Sequence, residues 1–248
     1  MKISAYGTTD VGKLREINED SFVIGGFNDE EALGYALLAD GMGGHNAGEV
    51  ASSTAVNTVK QELEKTLDEK EHDKIIYNIL SSIDYANKKV FELSIHDANK
   101  AGMGSTFVAA YIVEDKLYVA NIGDSRAYLI TNGEAIQITV DHSVVQELVE
   151  AGSITPEEAA VHPDKNIITR ALGTEALVDA DLYEYSLKDG DCILLCSDGL
   201  CEMVHENVFP EILEKSKDLE EAANELVKTA NENGGRDNIT VVILKCFE

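Results

Sequence analysis

Four acidic segments, far apart along this chain, constrain its fold more than any other feature. Three of them place an aspartate at the end of an apolar stretch and next to tight-turn residues: Asp40 in LLADGMGG, Asp124 in NIGDSR and Asp198 in LLCSDG. In the fourth, GGRDNIT, Asp237 comes just before a predicted strand. Aspartate disfavours strands, and its burial without a partner is unfavourable. We therefore expect the four carboxylates to meet around a shared partner, and hard cations, which take oxygen ligands, are the simplest choice.

The residues around these aspartates indicate which cations and which reaction to expect. Glycine after Asp40 and Asp198 allows a sharp turn and lets a backbone oxygen approach a metal. Ligation by oxygen alone favours Mg²⁺ or Mn²⁺ over Zn²⁺, which prefers cysteine and histidine. Two such ions about 4 Å apart can share a carboxylate and a water, which then becomes a nucleophile near neutral pH. Hydrolysis of a phosphate ester follows as the expected reaction.

Arg15 supplies a group that such a reaction needs, because its guanidinium can hold two phosphate oxygens. It lies close in sequence to two further acids, Glu19 and Asp20. The alternative for an arginine in this setting is a surface ion pair with those neighbours. The sequence leaves both interpretations open.

The spacing of apolar residues predicts a mixture of hairpin strands and a few helices. Helices are predicted over residues 49–67, 73–95 and 219–230, with short helical pieces at 144–151 and 155–160. Strands are predicted at 3–7, 22–25, 34–39, 105–113, 117–122, 126–130, 135–138, 182–186, 191–196 and 238–246. An Asn-Gly turn at Asn132 and Gly133 joins two of them. Hairpins outnumber βαβ crossovers, so the chain is expected to be α+β with antiparallel sheets.

Charge and cysteine usage exclude several classes of protein. With 46 acidic and 20 basic residues, the formal net charge is -26, which repels nucleic-acid backbones and anionic membranes. No signal peptide and no apolar run of membrane-spanning length is visible, so a cytoplasmic protein is expected. The cysteines lack paired CxxC spacing and are predicted to be reduced and structural. They are Cys192, Cys196, Cys201 and Cys246.

Taken in chain order, the motifs resemble those of the metal-dependent serine/threonine protein phosphatases of type 2C, the PPM family, and its bacterial subgroup in particular. They are Arg15 with Asn18-Glu19-Asp20, Asp40-Gly41-Met42-Gly43-Gly44-His45, Gly104-Ser105-Thr106, Gly123-Asp124-Ser125-Arg126, Thr169-Arg170-Ala171-Leu172-Gly173, Ser197-Asp198-Gly199 and Asp237-Asn238. The resemblance runs over essentially the whole chain and implies one domain, residues 1–248. It also implies a central sandwich of two antiparallel β-sheets with helix pairs on both outer faces.

For the metal site, the resemblance implies two core ions, Mn²⁺ or Mg²⁺. Asp40 would bridge both ions, and Gly41 would bind one of them through its carbonyl oxygen. Asp198 and Asp237 would bind the other ion. A bridging water or hydroxide would attack phosphorus in line, so Asp40 is a candidate catalytic residue.

Other matching positions would complete the site. By resemblance, Glu19 and Asp20 would act on the ions through waters. Asp124 is similar to the ligand of a weaker third ion, shared with Asp198. Arg15 would hold the substrate phosphate. The loosely patterned segment 142–173 resembles the flap, which varies near the site and influences substrate choice.

One departure concerns the general acid. Eukaryotic members of the family carry a histidine directly after the Asp-Gly pair, where this chain has Met42, which has no proton to give. His45 lies three residues on, and its ordinary pKa suits proton transfer, but a role in the loop is an equal alternative. A metal-bound water is the other candidate. The acid is left unassigned.

Three functions remain open from the sequence. The first is hydrolysis of phosphoserine and phosphothreonine in proteins by a monomer, with a cognate serine/threonine kinase as a loosely implied partner. The second is a catalytically weak binding or regulatory member of the same fold, and the third is a hydrolase of small phosphates or nucleotides. Asp141-His142-Ser143 contains the residue types of a catalytic triad, but consecutive residues cannot form its relay, so turn and helix capping is expected there.

Overall fold

Two antiparallel sheets form within residues 1–27, 32–43 and 47–247, the part of the chain that the computed structural model describes. The strands are β1 (Lys2–Asp10), β2 (Asp20–Gly25), β3 (Leu33–Met42), β4 (Gly104–Ser105), β5 (Phe107–Val113), β6 (Lys116–Ile122), β7 (Arg126–Thr131), β8 (Glu134–Gln137), β9 (Asp181–Ser186), β10 (Cys192–Cys196) and β11 (Ile239–Phe247). One sheet has the order β1-β11-β10-β7-β8, and the other has the order β2-β3-β5-β6-β9, with β4 paired to β3. The predicted α+β sandwich is confirmed.

Helices cover both outer faces of this sandwich. The helices that the structure describes are α1 (Ala47–Leu63), α2 (His72–His96), α3 (Val144–Glu150), α4 (Pro156–Ala160), α5 (Asp198–Cys201), α6 (Phe209–Lys215) and α7 (Leu219–Glu232). Helices α1 and α2 pack on the sheet that contains β3, β5 and β6. Helices α5, α6 and α7 pack on the sheet that contains β10 and β11. Within the described ranges, no helix is long and apolar enough to cross a membrane.

The central strands are buried on both faces, which explains their nearly continuous apolar sequences. In β3, Leu37 packs against α1 and α2, while Leu38 packs between the two sheets. In β11, Val242 faces the space between the sheets, and Val241 faces α7. Each strand therefore helps to build two cores, and its end is held rigidly where the acidic residues follow.

Sequence patterns located the long elements better than the short ones. The helix predicted over 49–67 ends at Leu63, because Lys65 and Thr66 turn back in i→i+3 hydrogen bonds to Glu62 and Leu63. Helices α5 and α6 were not predicted, since neither is long enough to show a helical period. The strand predicted over 105–113 is interrupted at Thr106, whose backbone N–H donates to the carbonyl oxygen of Asp40.

The flap begins and ends on the body of the molecule. Ser143 pairs with Ile168 in an isolated antiparallel bridge, and Ser105 pairs with Leu172 in another. Between them lie α3 and α4, both close to their predicted ranges. Thr155 begins α4 with a capping box, in which its hydroxyl accepts from the backbone N–H of Glu158 and the Glu158 carboxylate accepts in return. The cysteines are free thiols, as expected for structural residues.

Candidate metal centre

Strand pairing brings the candidate acids to one end of the sandwich. Asp20 and Asp40 face each other in the register of β2 and β3. Asp198 follows β10, and Asp237 precedes the neighbouring β11. These acids are remote in sequence, yet they lie close because antiparallel neighbours alternate direction at the same sheet edge. The meeting of carboxylates predicted from the sequence is therefore present.

A cavity of about 250 Å³ opens at this end of the molecule. The sequence-predicted residues that line it are Arg15, Glu19, Asp40, Gly41, Asp124, Asp198 and Asp237. Asp20 does not line the cavity and lies buried behind it. The flap contributes Asn166 and Ile168 to the wall, which the sequence patterns had not indicated.

Hydroxyl groups from two strands hold Asp20. Its Oδ2 accepts hydrogen bonds from Thr240 Oγ1 at 2.6 Å and from Ser197 Oγ at 2.8 Å, while Oδ1 is buried without a partner. Burial raises the pKa of Asp20 to about 6, against the opposing effect of the two hydroxyl donors. The carboxyl group of Asp20 is therefore held in place through Oδ2, while Oδ1 has no hydrogen-bond partner.

The carboxyls of Asp40 and Asp198 lack compensating positive charge. Burial, followed by repulsion from Asp20, Asp198, Asp124 and Asp237, raises the pKa of Asp40 well above its usual range. Burial, followed by repulsion from Asp124, raises the pKa of Asp198 in the same direction. Such a group of mutually repelling acids is stabilised by protonation or by a cation.

Asp124 and Glu19 show the same tendency. Burial is the main cause that raises the pKa of Asp124 to about 6, and repulsion from Asp141 adds to it. Burial also raises the pKa of Glu19, although the Gly48 backbone and Arg15 act against the shift. Both acids border the same cavity as Asp40. Four acids with raised pKa values, Glu19, Asp40, Asp124 and Asp198, thus line one small cavity, and a fifth, Asp20, lies behind it.

The donor set fits hard cations. Asp198 lines the cavity, and its Oδ1 is buried without a hydrogen-bond partner, so the lone pairs of this oxygen are unused. All candidate donors are oxygen atoms, which is the ligand type that Mg²⁺ and Mn²⁺ take. Among the residues that the structure describes, no three acidic, histidine or cysteine side chains form a finished ligand cage. The carboxylates line a cavity instead.

Close backbone packing explains why glycine follows Asp40 and Asp198. A Cβ atom on Gly41 would lie 2.0 Å from the carbonyl oxygen of Gly48, and one on Gly199 would lie 2.0 Å from that of Asn238. The sharp turn predicted after Asp40 is wrong, because β3 continues through Gly41 to Met42. After Ser197 the chain does change direction, directly into α5.

Arg15 makes an ion pair inside the cavity mouth. Its Nη2 donates to Asp237 Oδ2 at 2.6 Å, and its Nη1 lies 3.9 Å from Glu19 Oε2. The side chain of Arg15 remains about half exposed, with a relative exposure of 48%. This position is compatible with both interpretations from the sequence, an ion pair and a phosphate-binding group. The same guanidinium pairs with acids and borders the candidate site.

Several supporting contacts had no clear sequence signal. Thr106 Oγ1 accepts from the backbone N–H of Asp40 at 2.9 Å and lies 2.7 Å from Ser125 Oγ. Asn238 Oδ1 accepts from the backbone N–H of Glu19 at 2.8 Å. Ser125 and Asn238 stand beside candidate acids, and Thr106 belongs to the Gly104-Ser105-Thr106 motif, but the sequence did not indicate these contacts. Met42 lines the cavity, while His45 lies outside the described residues.

A second cavity, of about 510 Å³, adjoins the first and shares Asp124 and Asp198 with it. Apolar flap side chains, including Val145 and Val149, form part of its wall. Its other charged groups are paired with one another: Arg126 with Asp141, and Lys165 with Glu202. We call this space the flap cavity. It connects the candidate metal centre to the flap.

Comparison with known proteins gives a consistent picture. Residues 4–239 match the family Protein phosphatase 2C. The serine/threonine phosphatase Stp of Listeria monocytogenes is 40% identical over 237 residues, which cover 96% of this chain and 93% of that protein.

Solved structures agree with the sequence comparison. The serine/threonine phosphatase PstP/Ppp of Mycobacterium tuberculosis superposes with a TM-score of 0.89 at 35% identity, covering 100% of both chains. A structure of the PstP catalytic domain in complex with two manganese ions has a TM-score of 0.86 at 34% identity, covering 99% of both chains.

Proposed function

This chain belongs to the protein phosphatase 2C family and is a metal-dependent serine/threonine phosphatase, and we propose that the acids at the end of its sandwich carry the reaction. The observation that supports this proposal most strongly is the unpartnered Asp198 Oδ1 beside carboxyls whose pKa values are raised by burial and mutual repulsion. Folding gathers these acids at a cost that a cation offsets.

We propose the following division of roles. Asp40 lies between the other acids and would contact both core ions, with the Gly41 carbonyl oxygen on one of them. Asp198 and Asp237 would hold the second. Glu19 and Asp20 would act through waters, and the hydroxyl donors of Asp20 keep its side chain fixed behind Asp40. When bound, Mn²⁺ or Mg²⁺ supplies Lewis acidity and lowers the pKa of a water so that it can attack phosphorus.

Asp124 would serve a weaker third ion together with Asp198. Support comes from the contribution that the Asp124 carboxylate makes to the raised pKa of Asp198, and from the position of both residues in the walls of the two cavities. Ser125, the residue after Asp124, is joined through its hydroxyl group to Thr106, which in turn accepts from the backbone N–H of Asp40. A carboxylate on a fixed turn is suited to bind a cation without large rearrangement.

Arg15 would bind the phosphate of the substrate. Its fork can hold two phosphate oxygens, and its present partner Asp237 is a proposed metal ligand. If Asp237 binds a cation, its carboxylate would be less available to Arg15, and the guanidinium would then be free to bind the substrate anion. The side chain of Met42 has no proton to donate to the leaving alkoxide, and no residue is assigned here as the general acid.

The flap would contribute to recognition of the protein substrate. The flap cavity supports this proposal because it shares Asp124 and Asp198 with the candidate centre and offers apolar surface beside charges that are already paired. We further propose phosphorylated proteins as substrates of a monomeric enzyme, with a serine/threonine kinase acting in the opposite direction. A cytoplasmic location suits this role, since protein kinases draw on ATP.

Turnover on phosphothreonine peptides and on nucleotides, first with Mn²⁺ and then with excess chelator, tests the function. We expect Mn²⁺-dependent release of phosphate from the peptides, with little from nucleotides. Asp40→Asn and Asp198→Asn should each reduce kcat by about a hundredfold or more, because each removes a metal ligand without removing core contacts. Preference for nucleotides would favour a small-phosphate hydrolase, and absence of turnover would favour a regulatory protein.

A further inference from the structure

The turn that carries Asp124, between β6 and β7, is held from two sides. On one side, Ser125 and Thr106 are joined through their hydroxyl groups at 2.7 Å. Gly123 adopts a φ of +98°, and a Cβ atom there would lie 2.8 Å from Thr106 Cγ2. The turn backbone is thus pressed against Thr106. On the other side lies a buried histidine that the proposed mechanism does not use.

This histidine, His142, forms a closed pair of hydrogen bonds with Gly123. The backbone N–H of His142 donates to the carbonyl oxygen of Gly123 at 3.0 Å, and the N–H of Gly123 donates back to His142 Nδ1 at 3.1 Å. The His142 residue is 6% exposed. Because Nδ1 accepts a hydrogen bond, it carries no proton, and the ring proton of neutral His142 is on Nε2.

The other ring nitrogen is also occupied. His142 Nε2 donates to Asp181 Oδ2 at 3.2 Å, and Arg170 Nη1 donates to Asp181 Oδ1 at 2.8 Å. Arg170 Nη1 and His142 Nε2 lie 3.3 Å apart. Because both of these nitrogen atoms carry hydrogen, they share the carboxylate of Asp181 as acceptor. Asp181 therefore fixes both the tautomer and the orientation of the imidazole ring.

His142 is also the first residue of the flap. Its carbonyl oxygen accepts from the backbone N–H of Thr169 at 2.8 Å, which joins the two ends of the flap. The neighbouring Ser143 caps α3, with Oγ accepting from the N–H of Gln146 at 3.3 Å, as predicted. Asp141 pairs with Arg126 instead of capping a turn. These contacts rule out a nucleophilic role for Ser143 through His142 and leave the ring aimed at Gly123.

From this geometry we infer that His142 is a positioning residue, which through Nδ1 fixes the Gly123 amide and so aims the Asp124 carboxylate at the third ion. The inference rests on the proposed role of Asp124. Its physical basis is that the residue before Asp124 is clamped by Thr106 on one side and His142 on the other. Loss of one clamp lets the carboxylate rotate, and the binding of a cation must then restrain it.

Two isosteric substitutions separate positioning from simple packing. His142→Asn places an amide oxygen near the position of Nδ1 and retains an acceptor for the Gly123 amide. His142→Gln reaches toward the position of Nε2 and loses that acceptor. In calorimetric titrations of the full chain with Mn²⁺, we expect His142→Gln to weaken the weakest site by about tenfold or more. The tighter sites should be unchanged in both variants, and His142→Asn should bind like the unsubstituted protein.

A metal-free measurement checks the contact itself. Hydrogen exchange of the Gly123 amide, followed by NMR, should be slow in the unsubstituted protein and in His142→Asn, and faster in His142→Gln. His162→Gln is the matched control, because His162 is a flap histidine whose Nδ1 accepts from the N–H of Asp164 and not from Gly123. It should alter neither the exchange rate nor the Mn²⁺ isotherm. Melting temperatures establish that each variant is folded.

Asp124→Asn separates the proposed ligand role of Asp124 from the inferred positioning role of His142. If it removes the weakest Mn²⁺ site and His142→Gln does not change that site, the positioning role is wrong and the ligand role of Asp124 stands. If Asp124→Asn leaves the isotherm unchanged, the ligand role fails and the inference fails with it. Equal effects of the Asn and Gln substitutions at position 142 would also overturn the inference.

If His142→Gln does not fold, Asp181→Ala tests the orientation of the same ring through its Nε2 contact. The side chain of Asp181 is 40% exposed. An unaffected weak site in that variant would contradict the inference.

Discussion

At the scale of single residues, the site is defined by carboxyl groups whose charged form is disfavoured by the fold. Burial is the largest cause of the raised pKa values of Asp40, Asp198 and Asp124, and repulsion from neighbouring acids adds to it. A structural ion-pair network would instead place a cationic side chain among the buried acids. Among the described residues that line this cavity, Arg15 is the cationic one, and its side chain remains about half exposed. The acids are arranged as a site for added cations and not as a balanced network.

The first residue-scale prediction concerns stability against pH without metal. The pKa of Asp124 is raised in the folded state to about 6, whereas an unfolded aspartate has a pKa near 4. Between these values the folded state binds more protons than the unfolded chain, so the free energy of unfolding falls as pH rises from about 4 to about 6. In chelator, Asp124→Asn should flatten this fall, because its amide does not titrate and repels neither Asp40 nor Asp198.

Urea unfolding at several pH values checks this prediction. Asp84→Asn, at an exposed position in α2, is the matched control and should leave the pH dependence as it is in the unsubstituted protein. Parallel curves for Asp124→Asn and the unsubstituted protein would show that Asp124 does not contribute to the effect.

The second residue-scale prediction concerns Arg15. Arg15→Ala should raise KM for a phosphothreonine peptide by about tenfold to a hundredfold, because a charge-assisted contact to phosphate contributes about 1.5–3 kcal/mol. Arg15→Lys should recover part of this loss, since it keeps the charge and loses the fork. Steady-state kinetics at saturating Mn²⁺ measure both, and Arg236→Ala, an exposed arginine beside Asp237, is the control. Unchanged KM in Arg15→Ala would leave Arg15 as an ion-pair partner only.

At the scale of elements, what the sequence could predict depended on length and period. Helix α2 was predicted within one residue at each end, because its apolar residues recur on one face over 25 residues. Helix α6 has 7 residues and was missed, although Phe209 is fully buried and lies edge-on to Tyr128. Short elements are positioned by tertiary contacts, which leave no period in the sequence.

The same distinction holds within the site. Asp40, Asp124, Asp198 and Asp237 were found because each stands at the end or just before the start of an apolar stretch, which is a strong local signal. The contacts of Asp20 with Ser197 and Thr240 join residues 177 and 220 positions apart, so no local pattern contains them. The contact between His142 and Gly123 is of the same kind. Residue types could be predicted from the sequence, whereas the partners that orient them could not.

The flap gives the prediction at this scale. Val149→Asp puts a charge into the apolar wall of the flap cavity and should reduce kcat/KM for a phosphothreonine peptide by about tenfold. Hydrolysis of p-nitrophenyl phosphate should be unchanged, because this small substrate reaches only the metal centre. Val161→Asp, at a flap position that is 82% exposed, should affect neither substrate. An equal loss on both substrates would place the flap cavity outside substrate recognition.

At the scale of the whole molecule, the packing of the two sheets brings together acids that are far apart in the sequence. Two sheets packed face to face present their strand ends at a common edge, and every candidate acid stands at or beside such an end. The net charge of -26 makes this gathering unfavourable without cations. Bound divalent ions should stabilise the whole domain for the same reason, since they bind the folded state and not the unfolded chain.

Anomalous diffraction from crystals grown with Mn²⁺ tests the central claim most directly, because it locates manganese independently of any assay. We expect two strong peaks in the cavity, with Asp40 between them and Asp198 and Asp237 beside one of them. A weaker third peak is expected between Asp124 and Asp198. Peaks elsewhere on the surface, or an empty cavity at saturating Mn²⁺, would show that these carboxylates do not form the metal centre.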